Sequence, residues 1–565
     1  MVYRKIQIML WEVSAIKKYS CLDGILLLSL LLVGGFHEYI SCLLSIIIGV
    51  ILFASIHTRK KLIIRKDILT SAIVAVCVGY GLSCFWAADK GMAFIGLVKI
   101  LPVFLYLIYL QQQDRVADTV EVLPWFGAAT VIVAGIGMQF PMGKELFSVA
   151  GRLAGFFQYP NTYAIFLLAC ELLALKKEDR KIWDYIALVV LVAGFLYTGS
   201  RTAFVVAILA NVAMLFVWCQ KRVRIGLLIG IAGVVLVAGL LALNKNSVLY
   251  RYLTISITES TFVGRLLYWV DALPLLLKHP LGMGYMGYYY TQQSIQTGVY
   301  SVLYIHNDLL QLLLDIGWMP VALLVIAFAK WFLKKTVSVA DKVIVGAICL
   351  HSFFEFNLQY ISVWFLLILL LSSDRTSKTM EVKSSKLHQT GLAAVIGISL
   401  YMGTALGLSH IGKHELADKL YPYNTQNKLH MLEQVEDLAT AKSLADEMLE
   451  QNTSFYAPYS IYAKYYYSQG DFGAMIQNGR KALERNPFAH EEYETYCKML
   501  ITGIDLYTKA GNQQSAEICK QELLATAEQF SKNADKLSAL GKMINDQPVL
   551  TLSREVQEYI RQIGA

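Results

Sequence analysis

The chain has 565 residues, 56% of them hydrophobic and only 16% charged, with a formal net charge of +8. Soluble domains carry about 25% charged residues, so the deficit excludes an ordinary soluble enzyme, a disordered chain and a disulfide-stapled secreted module. With only 11 prolines and 39 glycines, collagen-like character is excluded too, and the class that remains is an all-α, polytopic helical membrane protein.

A bilayer core of about 30 Å takes around 20 apolar residues in a helix. About 12–13 segments qualify on that rule, at 21–36, 38–56, 68–87, 93–110, 123–139, 161–177, 182–198, 202–219, 225–243, 307–329, 341–357, 359–372 and 390–408. The first follows Arg4, Lys5, Lys17 and Lys18 as a signal peptide would. No small-residue cleavage site comes after it and more spans follow at once, so it is expected to remain as a helix. Lys and Arg fall in alternate loops: Arg59-Lys60-Lys61 with Arg65-Lys66, Lys176-Lys177 with Arg180-Lys181, Lys221-Arg222 with Arg224, Lys334-Lys335, then Arg375, Lys378, Lys383 and Lys386. The positive-inside rule then puts the N-terminus in the cytoplasm of an inner-membrane protein. The 244–305 loop and everything after 408 fall on the extracytoplasmic side. The nine cysteines form no CxxC pair and read as small buried hydrophobes; no Cys/His metal spacing occurs.

Two domains follow: a membrane domain, 1–408, and a polar helical tail, 409–565. In the tail, Ala457–Pro487 reads as two amphipathic helices flanking Gly470-Asp471, and Asn452 precedes Asn486 by 34 residues. That is the tetratricopeptide period. Helix pairs at Ala439–Glu450, Glu491–Tyr507 and Gln513–Phe530 extend the pattern, which predicts an extracytoplasmic α-solenoid of two or three tetratricopeptide-like units. The other reading is a generic helical hairpin bundle. A solenoid leaves a concave face free, which suits an envelope protein partner better than catalysis.

Ionisable residues at membrane depth are costly and usually functional. The candidates gather near the outer loops: Arg152 in Gly151-Arg152-Leu153, Arg201 after Gly199-Ser200, Arg265 in Gly264-Arg265-Leu266, Lys278-His279-Pro280, and His306-Asn307-Asp308. Singly, each reads as a side chain snorkelling to headgroups. Together, several cations around one histidine suit an anionic lipid-phosphate substrate. Gly282-Met283-Gly284-Tyr285-Met286-Gly287 matches a dinucleotide fingerprint literally, but it lacks the strand, helix and acidic residue that motif needs. It is expected to be a sharp turn.

In order, Gly151-Arg152-Leu153-Ala154-Gly155-Phe156-Phe157 with Pro160-Asn161, Gly199-Ser200-Arg201, Gly264-Arg265 with Trp269, His279-Pro280-Leu281-Gly282-Met283-Gly284, and His306-Asn307 with Gly317 resemble the O-antigen ligase and polymerase family over roughly residues 70–370. The resemblance implies a glycan donor on polyprenyl pyrophosphate, an acceptor hydroxyl, and neither metal nor cofactor. It also implies pyrophosphate-contacting arginines at Arg201 and Arg265 and an essential histidine at His306. His351-Ser352-Phe353-Phe354-Glu355 looks like the family's late helix.

The chemistry agrees. Guanidinium forks match phosphate oxygens and stabilise charge on a pyrophosphate leaving group. A histidine is the side chain best tuned to take a hydroxyl proton at neutral pH. His306 is the expected catalytic base and His279 its rival, with Arg201 and Arg265 catalytic; Arg152, Lys278, His279 and Asn307 are expected to bind substrate. The predicted activity is an inverting glycan transferase of envelope polysaccharide synthesis, acting on a glycan, lipid or protein acceptor among membrane lipids, with no nucleic acid partner. A lipid-linked glycan flippase or exporter, or a non-catalytic envelope scaffold, are the alternatives.

Overall fold

The computed structural model describes residues 21–113, 117–217, 239, 244–245, 247–372, 377–383, 385–544 and 550–564. The expected span at 225–243 falls almost wholly outside them, as do Arg4, Lys5, Lys17, Lys18, Lys221, Arg222, Arg224 and Arg375.

The first half runs α1 Cys21–Leu31, α2 Glu38–Arg59, β1 Lys61–Arg65, α3 Ile68–Ser83, α4 Lys90–Gln111, α5 Ala117–Gly137, α6 Pro141–Phe147, β2 Ser148–Val149, β3 Arg152–Leu153, α7 Pro160–Lys176, α8 Ile182–Tyr197 and α9 Arg201–Val217. After the large loop's α10 Ser260–Lys278 and α11 Gly287–Ile295 come α12 Asp308–Ile316, α13 Trp318–Leu333, α14 Val339–Ser352, α15 Ile361–Leu371, β4 Thr379–Lys383 and α16 Lys386–His410. Among the described residues, five helices are long and apolar enough to cross a membrane: α2, α4, α5 from Thr119, α10 and α16. Shorter apolar helices, α3, α8, α9, α13 and α15, fill out the bundle. The architecture is all-α and polytopic, apart from two small two-stranded sheets.

Two expected spans are broken. The first ends at Leu31, because Gly34 and Gly35 take positive φ of 62° and 73° in the turn before α2. The segment from 307 splits into α12 and α13 at Gly317, whose φ is 79°. A Cβ there would lie 2.5 Å from the Pro280 carbonyl oxygen, so only glycine lets the 280–284 turn pack against this break. Met283 and Gly284 donate backbone hydrogen bonds to the Leu314 and Asp315 carbonyls across the same contact. The glycine-rich stretch is a packed turn, as its sequence suggested.

The most buried helices are α4, α7 and α15; every residue of α15 is buried. Side chains such as Ile182, Trp183 and Val189 on α8 are 60% exposed or more, the apolar exterior that a lipid solvent allows. Helix starts follow the capping rule: Asp67, Asp89, Ser338 and Asn307 each accept from a backbone N–H in the first turn.

The basic loops converge. β1 pairs antiparallel with β4, Lys61 opposite Lys383 and Arg65 opposite Thr379, and Lys176 meets Asp341 at 2.7 Å. The 59–66, 176–181, 334–342 and 377–386 loops therefore share one end of the bundle. Pairing of β1 with β4 was not legible, because the partners lie more than 300 positions apart.

The tail continues as α17 His414–Leu420, α18 Thr425–Leu432, α19 Leu438–Gln451, α20 Ala457–Ser468, α21 Phe472–Arg485, α22 His490–Lys509, α23 Gln513–Asp535, α24 Ala539–Lys542 and α25 Arg554–Gly564. Consecutive helices pack, α19 on α20, α20 on α21, and α22 on α23. Asn452 and Asn486 both follow the last turn of a helix, with similar φ of −147° and −141° but ψ of 105° and 70°. Cys497 and Cys519 are buried and free. The tail sits on the loop end of the bundle, opposite the basic end: Thr425 donates to Asp89, Tyr421 donates to the Gly91 carbonyl, and Ser538 donates its N–H to the Thr297 carbonyl.

Candidate active site

At the loop end, a short break between α14 and α15 carries Glu355, whose side chain is completely buried. Four donors reach it. Asn161 Nδ2 donates to Oε1 at 2.7 Å and Tyr159 donates its hydroxyl to Oε2 at 2.8 Å. The Arg265 guanidinium also bonds Oε1, and His306 Nδ1 lies 3.2 Å from Oε2. An ionised carboxylate has about four lone-pair sites, so Glu355 is saturated. It is a positioning anion, with no capacity left to take a substrate proton.

His306 owes its orientation to that anion. A carboxylate only accepts, so Nδ1 carries a proton toward Glu355, and in the neutral imidazole Nε2 is the nitrogen left to accept. The residue also sits at φ 53°, in the left-handed region, a conformation that costs a non-glycine residue about 1–3 kcal/mol and concentrates at functional sites. Phe356 braces the ring edge-on at 4.9 Å between centroids. The helix-capping role that His306 could have played belongs instead to Asn307, whose Oδ1 accepts from Leu310 N at 3.0 Å.

Arg265 reaches Glu355 directly, and three further guanidiniums, Arg152, Arg201 and Arg251, gather near it. Arg265, on the first turns of α10, also donates to Thr202 Oγ1 at 3.0 Å, which ties α10 to α9. Arg201, at the start of α9, pairs with Glu259 and donates to Thr261 Oγ1 at 3.3 Å. Arg152, in the β2–β3 hairpin, donates to the Thr198 carbonyl at 2.7 Å and to Asn161 Oδ1 at 2.6 Å. Arg251 donates to the Gly199 carbonyl at 3.2 Å. Gly199 has φ 59°, and a Cβ there would lie 2.7 Å from Val248 and 3.2 Å from Arg251, so the chain needs glycine where the arginines converge. Burial, and then the Arg251 charge, pull the Arg152 guanidinium down to about 10; it stays a cation at neutral pH. Four guanidiniums against Glu355 and Glu259 leave an excess of two positive charges, which matches the two ionised phosphates of a pyrophosphate diester.

The structure thus brings Arg152, Arg201, Arg265 and His306 together and leaves Lys278 and His279 apart. Those two end α10, 13 and 14 positions after Arg265, which is roughly 20 Å at 1.5 Å per residue. The His279 carbonyl closes the turn to Gly282 N. Asn307 is buried beneath the site as a cap. Sequence reasoning missed Arg251, Tyr159 and the hub role of Glu355. A lone acid in the apolar 343–372 stretch was the available signal for Glu355; Arg251, in a polar loop, offered none.

Residues 186–326 match the family model described as O-antigen ligase. Over that segment the chain is similar to the O-antigen ligase family. The matched segment includes Arg201, Arg251, Glu259, Arg265 and His306 and stops short of Arg152 and Glu355. It supports a multi-pass membrane protein of surface polysaccharide biosynthesis and a glycosyl-transferring activity. No curated protein matches the chain.

Proposed function

We propose that the chain transfers a glycan from a polyprenyl-pyrophosphate carrier to an acceptor hydroxyl on the outer face of the inner membrane. The observation that carries this reading is the four-guanidinium cluster beside the pair formed by buried Glu355 and half-buried His306. In the step, His306 Nε2 takes the hydroxyl proton while the acceptor oxygen bonds to the anomeric carbon. The bond from that carbon to the pyrophosphate oxygen breaks, and its electron pair leaves with the lipid pyrophosphate. Arg201 and Arg265, with Arg152 and Arg251 behind them, stabilise the growing charge. A single displacement inverts the anomeric centre.

Glu259 pairs with Arg201 and gives way to the donor's phosphate when the donor binds. The convergence of basic loops at one end supports a cytoplasmic location for that end and an extracytoplasmic one for the site. The stacked tail helices support a tetratricopeptide-like solenoid over it. A flippase would need open cations through the depth of the bundle. The deep cation here, Lys99, is instead bonded to Glu38, Tyr285 and Tyr304, which favours transfer over transport. Deletion of the gene followed by surface-glycan analysis tests the reading. Single units without long chains indicate a polymerase, and long unattached chains a ligase; unchanged surface glycan contradicts both.

A further inference from the structure

A second cavity, of about 430 Å³, opens between the membrane domain and the tail. It shares no residue with the arginine cluster. Its floor is Glu38, Tyr285 and Tyr304, with Lys99 bonded to all three from beneath; Tyr285 donates to Glu38 at 2.6 Å and lies 2.9 Å from the Tyr304 hydroxyl. One wall is aromatic: His37, Tyr39 and His410 form a three-ring cluster with centroids 4.5–5.6 Å apart. The opposite wall comes from the tail and supplies Asn424, Gln426, His414 and His430.

The cavity also has a defined relation to the proposed base. A run of rings leads from it to His306: Phe36 to Tyr304 at 6.2 Å, Tyr304 to Phe356 at 5.3 Å, and Phe356 to His306 at 4.9 Å. Tyr304, which lines the cavity, is thus one ring, Phe356, removed from His306.

We propose that this cavity binds a neutral saccharide, the acceptor glycan, and that the tail completes the site. The volume falls in the range of small-ligand sites, about 300–1,000 Å³. The lining selects the chemistry. No arginine or lysine lines it, and its carboxylate, Glu38, is held by Lys99 and Tyr285, so it offers amide, hydroxyl and imidazole groups in place of the guanidinium forks that suit phosphate. Sugar rings present apolar C–H faces to aromatic platforms and hydroxyl edges to amide and imidazole groups, and the cavity has both. Burial, and then the His410 charge, lower His37 from its ordinary value, which keeps a neutral imidazole that both donates and accepts. The tail thus has a second use besides a partner surface: without α17 and α18 the cavity has no polar wall.

Calling the saccharide an acceptor rests on the transfer reading; its binding does not. The test uses the full-length protein in nanodiscs and saturation-transfer NMR. The probes are a panel of neutral disaccharides (glucose, galactose, mannose and N-acetylglucosamine types), with a uronate disaccharide and a short alkyl glycoside for comparison. At least one neutral disaccharide should bind, at least tenfold more weakly in Tyr39→Ala, which removes the platform, and in Ser409→Phe, which fills the space. Thermal unfolding identifies a variant that has merely lost its fold, and the other then decides. Arg265→Ala should keep saccharide binding while losing transfer, which separates a failure of this site from a failure of the transfer reading. Binding unaffected in both folded cavity variants, no binding by any neutral disaccharide, or preference for the uronate or the alkyl chain would overturn the proposal.

Discussion

Replacing Glu355 probes the site at its hub. Its side chain is fully buried and that of Arg265 is 13% exposed, so Glu355→Ala strands a guanidinium with little access to water. Breaking a buried pair by removing one partner costs about 3–5 kcal/mol. The tyrosine and asparagine that aim at the carboxylate lose their acceptor as well. Glu355→Gln is the sharper variant. It keeps the volume, but one carboxylate oxygen becomes an NH2 group that faces two donors, either Asn161 with Arg265 or Tyr159 with His306. In the second orientation His306 loses the acceptor for its Nδ1 proton and with it the tautomer that leaves Nε2 free. General-base catalysis contributes about 10²–10⁴ in rate, so Glu355→Gln should lower kcat by at least a hundredfold with a smaller loss of thermal stability than Glu355→Ala. The assay pairs initial transfer rates of the purified variants with their thermal unfolding in the same detergent. A Glu355→Gln variant within about threefold of wild type would refute the hub reading, because general-base losses of that size belong to groups outside the reacting geometry.

Other substitutions divide the remaining roles. His306→Ala should abolish detectable product without lowering protein abundance, and full activity in His306→Gln would leave an orienting role only; initial rates and immunoblots decide. Arg201→Ala and Arg265→Ala should each cost transfer by about 2.7–4 kcal/mol of barrier, by analogy with loss of one transition-state donor; lysine should recover only part of that, since a point charge lacks the fork. Glu259→Gln should lower the apparent KM for donor by freeing Arg201, measured by titrating lipid-linked glycan; an unchanged or higher KM would count against displacement of Glu259 by phosphate. A membrane-impermeant thiol reagent should label a cysteine engineered at an exposed tail position, such as Glu436, in cells with any outer membrane permeabilised, and should miss one beside Lys60. The reverse pattern would invert the orientation.

Much of this was legible because membrane helices announce themselves by run length and tail helices by capping and period. The tail helices begin where Asp437, Asp471 and Asn512 cap them. The arginines and His306 were legible because charge near a membrane is costly and therefore sparse. What stayed hidden depends on distant contacts. Glu355 meets Asn161 across 194 positions, and the glycine breaks at Gly34-Gly35 and Gly317 interrupt runs whose composition reads as continuous. The cavity beside Tyr304 draws on α2, α4, α16 and the tail together, and no local pattern encodes such a meeting.

The central claim is that the guanidinium cluster and His306 carry out glycan transfer. Its most direct test is reconstitution of the purified chain in liposomes with a polyprenyl-pyrophosphate-linked glycan and a glycan acceptor, with products read by mass spectrometry. Wild type should yield glycosylated acceptor and free polyprenyl pyrophosphate in equal amounts, with inverted linkage, and His306→Ala and Arg265→Ala should yield neither. Movement of intact lipid-linked glycan between leaflets without any glycosylated acceptor, or equal product from the two variants, would contradict it.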